Sequence, residues 1–558
     1  MKPDFFKVKY FDTFDQLVDE FKSHNQRTAL SWFNDEGEKL SRTYSEFYQD
    51  IIGLRNKLIT LGISDKHIAI LSENSYEWIV AFYAIISGGG VAVLIDTEQT
   101  DDTVRELIVR SDVDYVFASD YLSGICQTLL KKKEISGIYI LGEDNGQKST
   151  PSVYTLINEG NSLRHQEPPK MDPKRMAAIV CTSGTTSKQK LVMLSHQNLL
   201  INGSDANALC AVGPKIFSSL PLYHTFGLTI AVISSLAMGY EVTINGDLRF
   251  LARDMMASGA TTVLAVPLIA EAMTKILFAG INDKDKVEKL KKLVESNSIV
   301  KYFGMRKVKP KLMLLKSHVF PNMKYVVCGG AHLDLEIAHI LDAFEIQVLP
   351  GYGTTECSPM ISAPHTEAIV IESVGTILPH CHVKIVQDEI WVKGENVMLG
   401  YYKDDEANQE VFEDGWYKTG DLGRVGKDDL IYFTGRKKNL IVLKNGKKIS
   451  PEKIEELVVK IPLVKDVVAY GATSGNYADD VKPAVMIYPD PELSTGMTNY
   501  EILNEINREI EKINTKLPMR PKSPESKYYT AWKAICLTTK TGNFQMEKSI
   551  SREKRPAI

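Results

Sequence analysis

The residues best suited to chemistry form one run, Thr182-Ser183-Gly184-Thr185-Thr186-Ser187-Lys188-Gln189-Lys190, directly after the apolar stretch AAIVC. Backbone amides in a turning loop, joined by Ser and Thr hydroxyls, can donate several hydrogen bonds to phosphate oxygens, and a lysine adds a compact positive charge. The run therefore suits a polyphosphate cradle. Ser/Thr/Gly clusters are also ordinary connections after strands and need bind nothing, so the run alone leaves both readings open. It is not a Walker A loop, because no second glycine precedes Lys190 and Leu191 stands where Ser or Thr would follow.

A cradle needs rigid elements behind it, and the flanking pattern supplies them. HIAIL at 67–71 predicts a strand, followed by a helix beginning near Ser72; GGGVAVLID predicts a second buried strand, TVRELIVRS an amphipathic helix, and VDYVFASD another strand. The same unit recurs at MAAIVCTSG, at TTVLAVP before LIAEAMTKIL, and at MKYVVCGGA before a helix from about Leu335. Alternating strands and helices mark an α/β architecture, whose ligands bind in the crevice at the carboxyl ends of the strands. Beyond about Arg436 the pattern changes to a lysine-rich turn, a helix from Ser450, two β-like runs and a long helix from Asn499, which predicts a small α+β unit.

Bulk properties narrow the function classes. A chain of 558 residues exceeds one compact domain, and 44% hydrophobic with 24% charged residues is ordinary globular usage. A formal charge of −4, without a basic cluster, argues against nucleic acid as a partner. The seven cysteines, Cys126, Cys181, Cys210, Cys328, Cys357, Cys381 and Cys536, form no CxxC pair and predict reduced thiols rather than zinc ligands or a disulfide framework. The opening MKPDFFKVKYFDTFDQLVDEF carries no secretory pattern, and Leu228–Met238 is too short for a bilayer core of about 30 Å. The expectation is a cytoplasmic protein with no transmembrane segment.

Further motifs follow the phosphate-like loop in order: PLYHTFGL at 221–228, CGGA at 328–331, GYGTTE at 351–356, WYKTGDLG at 416–423 and GRKKNLI at 435–441. Together with VAVLID near residue 95 and PEKIEE near residue 455, the series resembles the adenylate-forming superfamily of acyl-CoA synthetases, peptide-synthetase adenylation domains and luciferases. It lies nearest the fatty-acyl-CoA synthetase-like members. The resemblance spans almost the whole chain. It implies a large N-terminal domain of two doubly wound sheets plus a distorted β-barrel (residues 1–435), joined to a smaller mobile α+β domain (436–558).

The resemblance also implies roles by position. Thr182, Ser183, Gly184, Thr185, Thr186 and Lys190 would hold the ATP phosphates. Glu356 would be the magnesium-associated glutamate, with Gly351, Tyr352, Gly353, Thr354 and Thr355 lining the nucleotide and Thr355 touching phosphate; a carboxylate near triphosphate needs a metal to avoid repulsion. Gly329, Gly330 and Ala331 would pass beside the adenine. Asp421 would accept the ribose hydroxyls, as a carboxylate can at both oxygens, and Arg436 would reach the same sugar. His224 would sit near the reacting carboxylate, packing and gating rather than transferring a proton. Lys438 falls at the hinge, and Gly446 in the loop that approaches a thiol.

Two departures stand out. Ser187, Gln189 and Leu191 replace the family's glycine, proline and glycine in the phosphate loop, restricting left-handed backbone. Near the C-terminus, Phe544 and Gln545 stand where an ungapped alignment of TTKTGNFQMEK expects glycine and the catalytic lysine. Glutamine donates hydrogen bonds but supplies no charge, and losing charge beside developing negative charge slows such a step by orders of magnitude; Lys540 or Lys548 are alternative sources. The resemblance thus implies ATP-dependent activation of a carboxylic acid, hydrophobic or fatty, with Mg2+, and transfer to coenzyme A. Loading of an acyl-carrier protein's phosphopantetheine and a catalytically weakened adenylate binder are the alternatives. No oligomeric state is implied.

Overall fold

The computed structural model describes residues 4–143, 150–164, 166–182, 189–279, 289, 299–331, 333–443, 448–473, 481–491, 493–516 and 533–536. Two seven-stranded sheets dominate it. The first runs, in spatial order, Gln347–Pro350, Tyr325–Cys328, Thr262–Ala265, Lys215–Ser218, Glu241–Ile244, Thr28–Phe33 and Lys39–Thr43, all parallel except the last. The second runs Gly400–Tyr401, Leu191–Ser195, Met176–Cys181, Val91–Leu94, His67–Leu71, Tyr115–Ala118 and Gly137–Ile140, parallel from Met176–Cys181 onward. Parallel strands buried on both faces read as continuous apolar runs, which is why HIAIL and AAIVC were visible in the sequence.

One apolar cluster fills the space between the sheets. Its centre is the helix Tyr76–Ser87, in which every residue except Glu77 is buried. That helix starts four residues later than the sequence pattern suggests, because Ser75 is extended and its hydroxyl accepts the Trp78 N–H, capping the first turn. A second cluster covers the far face of the second sheet. Leu228–Met238, the most apolar segment, lies in the π-helical Phe226–Ile233 and the α-turn Ser234–Ala237 that continues it, buried in the shared core. No helix among the described residues is long and apolar enough to cross a membrane.

The barrel expected from the sequence takes the form of two small antiparallel sheets. One holds Tyr352–Gly353, Met360–Ala363 and Thr376–Ile377; the other holds Cys381–Val386, Glu389–Gly394, Trp416–Val425, Phe412–Glu413 and Ile431–Arg436. The Val374 N–H to Ile431 carbonyl and Ile431 N–H to Gly375 carbonyl bonds, each 2.9 Å, join the two. A separate apolar cluster forms the C-terminal unit, from the helices Pro451–Val458 and Asn499–Lys516 and the paired strands Val464–Thr473 and Val481–Pro489.

Two features expose the fold's tolerances. The helices Tyr44–Thr60 and Val153–Asn161 cross at Gly53 and Gly160, and a Cβ on Gly160 would lie 1.8 Å from the Gly53 carbonyl oxygen. Gly160→Ala should therefore lower stability by about 1–3 kcal/mol, the usual penalty of overpacking, read as a fall in urea midpoint. His196, buried at the start of the helix His196–Leu209, accepts the Phe14 N–H at Nδ1, so its proton sits on Nε2, which has no partner among the described residues. Burial pushes its pKa down to about 4, Arg175 adding to the fall and Asp15 opposing it. The unfolded chain thus binds an extra proton between pH 4 and 6.5, and stability is full above that window and falls as pH drops through it, by about 3 kcal/mol in all. Urea unfolding across this range should show the fall, and His196→Gln, which keeps an acceptor, should flatten it.

Candidate active site

The strand Met176–Cys181 delivers Thr182 to the carboxyl edge of the second sheet, and the Thr182 N–H closes the following loop on the Lys190 carbonyl at 3.0 Å. Ser183, Gly184, Thr185 and Thr186 lie outside the described residues, as do Gly446 and Gln545. Lys190 leads into the strand Leu191–Ser195, and its ammonium stands 4.4 Å from the centre of the Tyr401 ring, a cation–π contact. Tyr401 belongs to the edge strand Gly400–Tyr401, paired with that same strand, and its hydroxyl donates to Glu356 Oε1 at 2.8 Å. The Met398 N–H also donates to the Glu356 carbonyl at 2.8 Å. Lys190, Tyr401 and Glu356 therefore form one line, with Glu356 held by both side chain and backbone.

GYGTTE leaves the first sheet just after Gln347–Pro350. Gly351 donates to the Cys328 carbonyl at 2.9 Å, which sets this segment beside CGGA. A Cβ on Gly353 would meet the Pro359 carbonyl oxygen at 1.9 Å, so no side chain fits there; the Thr354 N–H donates to the same oxygen at 2.9 Å. Thr355 and Glu356 then turn in the short helix Thr355–Cys357.

Asp421 is 3% exposed. Tyr352 donates its hydroxyl to Oδ2 at 2.9 Å, and Arg436 stands 3.2 Å from Oδ1. Burial raises the Asp421 pKa, while the Arg436 charge and the Tyr352 hydrogen bond oppose the rise; Lys438 also acts on this carboxylate, which places it nearby. Burial in turn pushes the Tyr352 phenol well up. Three of the expected nucleotide residues are thus one bonded cluster.

The segment expected beside the adenine is open at one end. Gly329 is buried, with the Phe226 ring 3.4 Å from where its Cβ would lie, whereas Gly330, at φ +82°, and Ala331 are exposed. His224 sits half-buried at the head of the Phe226–Ile233 helix, edge-on to Tyr223 at 4.7 Å. Burial lowers its pKa, against the pull of Asp96 and Glu98. The ring is therefore neutral near pH 7 and suited to packing. Asn74, which follows the strand His67–Leu71, donates to the Leu220 carbonyl and accepts the Leu222 N–H, each at 2.9 Å, so the carboxyl ends of the two sheets meet here.

Sequence reasoning passed over Tyr401, Phe226 and Asp96. Phe226 lay inside a motif already marked, but Tyr401 in LGYYK carries no composition signal; only its pairing with the strand after the phosphate loop reveals it. Among the described residues no group of three or more His, Cys, Asp or Glu could hold a metal by itself.

Comparison with known proteins accords with this arrangement. Residues 17–402 match the family described as AMP-binding enzyme, and residues 438–530 match the AMP-binding enzyme C-terminal domain. The chain belongs to this adenylate-forming family. It is 28% identical over 473 residues to the long-chain-fatty-acid–CoA ligase FadD15 of Mycobacterium bovis, covering 79% of this chain and 76% of that one. It is 24% identical over 516 residues to the chloroplastic long-chain-fatty-acid–[acyl-carrier-protein] ligase AEE15 of Arabidopsis thaliana, covering 77% and 71%. The fold matches the anthranilate CoA ligase AuaEII in complex with anthranoyl-AMP, with a TM-score of 0.73 at 17% identity over 95% of this chain and 94% of that one. It also matches ATP-bound MatB from Rhodopseudomonas palustris, with a TM-score of 0.72 at 21% identity over 94% and 95%.

Tyr401→Phe keeps the ring under Lys190 but frees Glu356. It is expected to weaken ATP binding about tenfold, the loss of one hydrogen bond to a charged group, measured by calorimetry, with the melting temperature nearly unchanged.

Proposed function

We propose that this protein activates a carboxylic acid with ATP and passes the acyl group to a thiol, coenzyme A before an acyl-carrier protein. The observation that carries the reading is the pairing of two preorganised clusters, Lys190–Tyr401–Glu356 beside the Thr182 loop and Tyr352–Asp421–Arg436 on the following sheets. The acid's carboxylate oxygen attacks the α-phosphorus, the α–β phosphoanhydride bond breaks, and pyrophosphate leaves. The thiol sulfur then attacks the acyl carbon, its proton is lost, and AMP departs with the bonding electrons. Such chemistry is catalysed mainly by orientation and charge placement.

Within this scheme Asp421 and Arg436 engage the ribose, Gly329 and Gly351 line the base, and Lys190 supplies positive charge at the phosphates. Ser183, Gly184, Thr185 and Thr186 donate to the same phosphates. Mg2+ commonly binds one or two carboxylates together with substrate phosphates, and the single carboxylate of Glu356 fits that donor set; when bound, the ion neutralises triphosphate charge. The mobile C-terminal unit, beginning near residue 436, brings Gln545 and the Gly446 loop to the reacting groups in turn, pivoting about Lys438.

A hydrophobic acid is favoured by the apolar helix that follows His224, with Phe226 against Gly329, and by the names of relatives such as FadD15. AEE15's name supports the carrier-protein acceptor as a second reading. Cys126, Cys181, Cys210, Cys328, Cys357 and Cys381 are free and, Cys210 apart, buried, which supports a cytoplasmic placement.

The test is Mg2+-dependent pyrophosphate release over a panel of carboxylic acids, with and without coenzyme A or carrier protein. Acid-dependent release with acyl-CoA formation is expected. Gln545→Lys should raise the adenylation rate by about a hundredfold, the scale of one preorganised charge. Silence of both proteins with every acid would reject the ligase reading, and activity confined to short polar acids would reject a fatty substrate.

A further inference from the structure

Glu389 plays no part in the scheme above, yet its surroundings are unusual for a carboxylate. Its side chain is 6% exposed, and both oxygens are engaged: Oε1 accepts the Gly420 N–H at 3.0 Å, and Oε2 accepts the Lys437 ammonium at 2.8 Å. Gly420 directly precedes Asp421, and Lys437 directly follows Arg436. One buried carboxylate therefore ties together the neighbours of both members of the Asp421–Arg436 pair. The placement is built into the chain: Gln387 and Asp388, at φ 50° and 66°, make a tight turn ahead of the strand Glu389–Gly394, and the Asp388 carbonyl accepts the Gly423 N–H at 2.9 Å.

The residues on the other side of Lys438 are tied elsewhere. Asn439 donates to Glu452 Oε1 at 2.9 Å, and Ser450 donates to Glu452 Oε2 at 2.6 Å. Glu452 lies in the first turn of the helix Pro451–Val458, part of the C-terminal unit. Successive residues thus belong to different bodies: Arg436 and Lys437 are bonded to the antiparallel sheets, and Asn439 to the C-terminal helix. Lys438 stands between the two sets of anchors. Hinge motions are absorbed by a few residues at element ends while their flanks stay fixed.

We propose that Glu389 is a positioning residue that anchors the body side of this pivot, so that reorientation of the C-terminal unit is confined to Lys438 and leaves the Asp421–Arg436 pair undisturbed. This inference rests on the two-step reading above. A charge-assisted bond to a buried carboxylate is stronger than a neutral one, and the Lys437 side chain is 59% exposed apart from this pairing.

The experiment uses full-length protein. Glu389→Gln retains an acceptor for Gly420 but removes the charge, and Lys437→Gln removes the other partner at an exposed position where folding is not at risk. Either substitution should speed amide exchange over residues 437–440 by about tenfold, and the double variant should add little, since both break one contact. Each should also change the ratio of adenylation to thioester formation, measured as separate half-reactions, by about fivefold, and Lys437→Arg should restore both readouts. A role in stability alone would lower the melting temperature of Glu389→Gln while leaving that ratio, and every property of Lys437→Gln, unmoved. The proposal is overturned if Lys437→Gln leaves both exchange and ratio within about twofold of the parent. Should neither the parent nor Gln545→Lys form an adenylate with any acid, the functional reading fails, and exchange still decides whether Glu389 anchors Lys437.

Discussion

Asp421 carries a carboxylate out of water into the seam where three chain segments meet. Burying such a charge is unfavourable by several kcal/mol unless it is paired and hydrogen-bonded, and here Tyr352 and Arg436 each take one oxygen. The requirement acts in both directions. Tyr352 extends from the last strand of the first sheet, and Arg436 ends the strand that pairs with Asp421's own, so satisfying the carboxylate binds the antiparallel sheets to the edge of the parallel one. The ribose contacts proposed above, Asp421 and Arg436, lie along that seam.

The two large sheets impose a second constraint. They share one layer of helices, with Tyr76–Ser87 buried among them, and close packing of such a layer leaves little freedom in the sheets' relative placement. Their carboxyl edges are held facing one another, as the hydrogen bonds of Asn74 to Leu220 and Leu222 show. Ligand loops from both sheets can then act on one molecule. Lys190 and Glu356 illustrate the result: one leads into a strand of the second sheet, the other follows the first, and Tyr401 bridges them through its ring and its hydroxyl. Both faces of that tyrosine are used, the ring for a cation and the phenol for an anion.

The strand and helix repeats were legible because burial on both faces writes a continuous apolar run, and the change of pattern after Arg436 was legible because a smaller core needs a different mixture. The start of the Tyr76–Ser87 helix was misplaced because Ser75 caps it, and a serine ahead of a helix resembles the loop before it. Within the proposed site, Thr182, Lys190, Glu356, Asp421 and Arg436 were singled out through motif order, each in a run of distinctive types. Tyr401 and Glu389 were not found. Tyr401 meets Glu356 across 45 positions, and Glu389 meets Lys437 across 48; neither residue is unusual in its local context.

The sequence by itself determined the α/β class, the polar loop chemistry after the strand ends, and the departures from the family pattern at Ser187, Gln189, Leu191, Phe544 and Gln545. These are local properties, set by side-chain type and by spacing within one element. Tertiary structure alone decided which of those residues share a carboxylate, which tyrosine joins the lysine to the glutamate, and where the chain's anchors change from one body to the other on either side of Lys438. Those are matters of approach between distant segments, governed by burial and hydrogen-bond satisfaction, and such constraints leave no periodic trace in the chain.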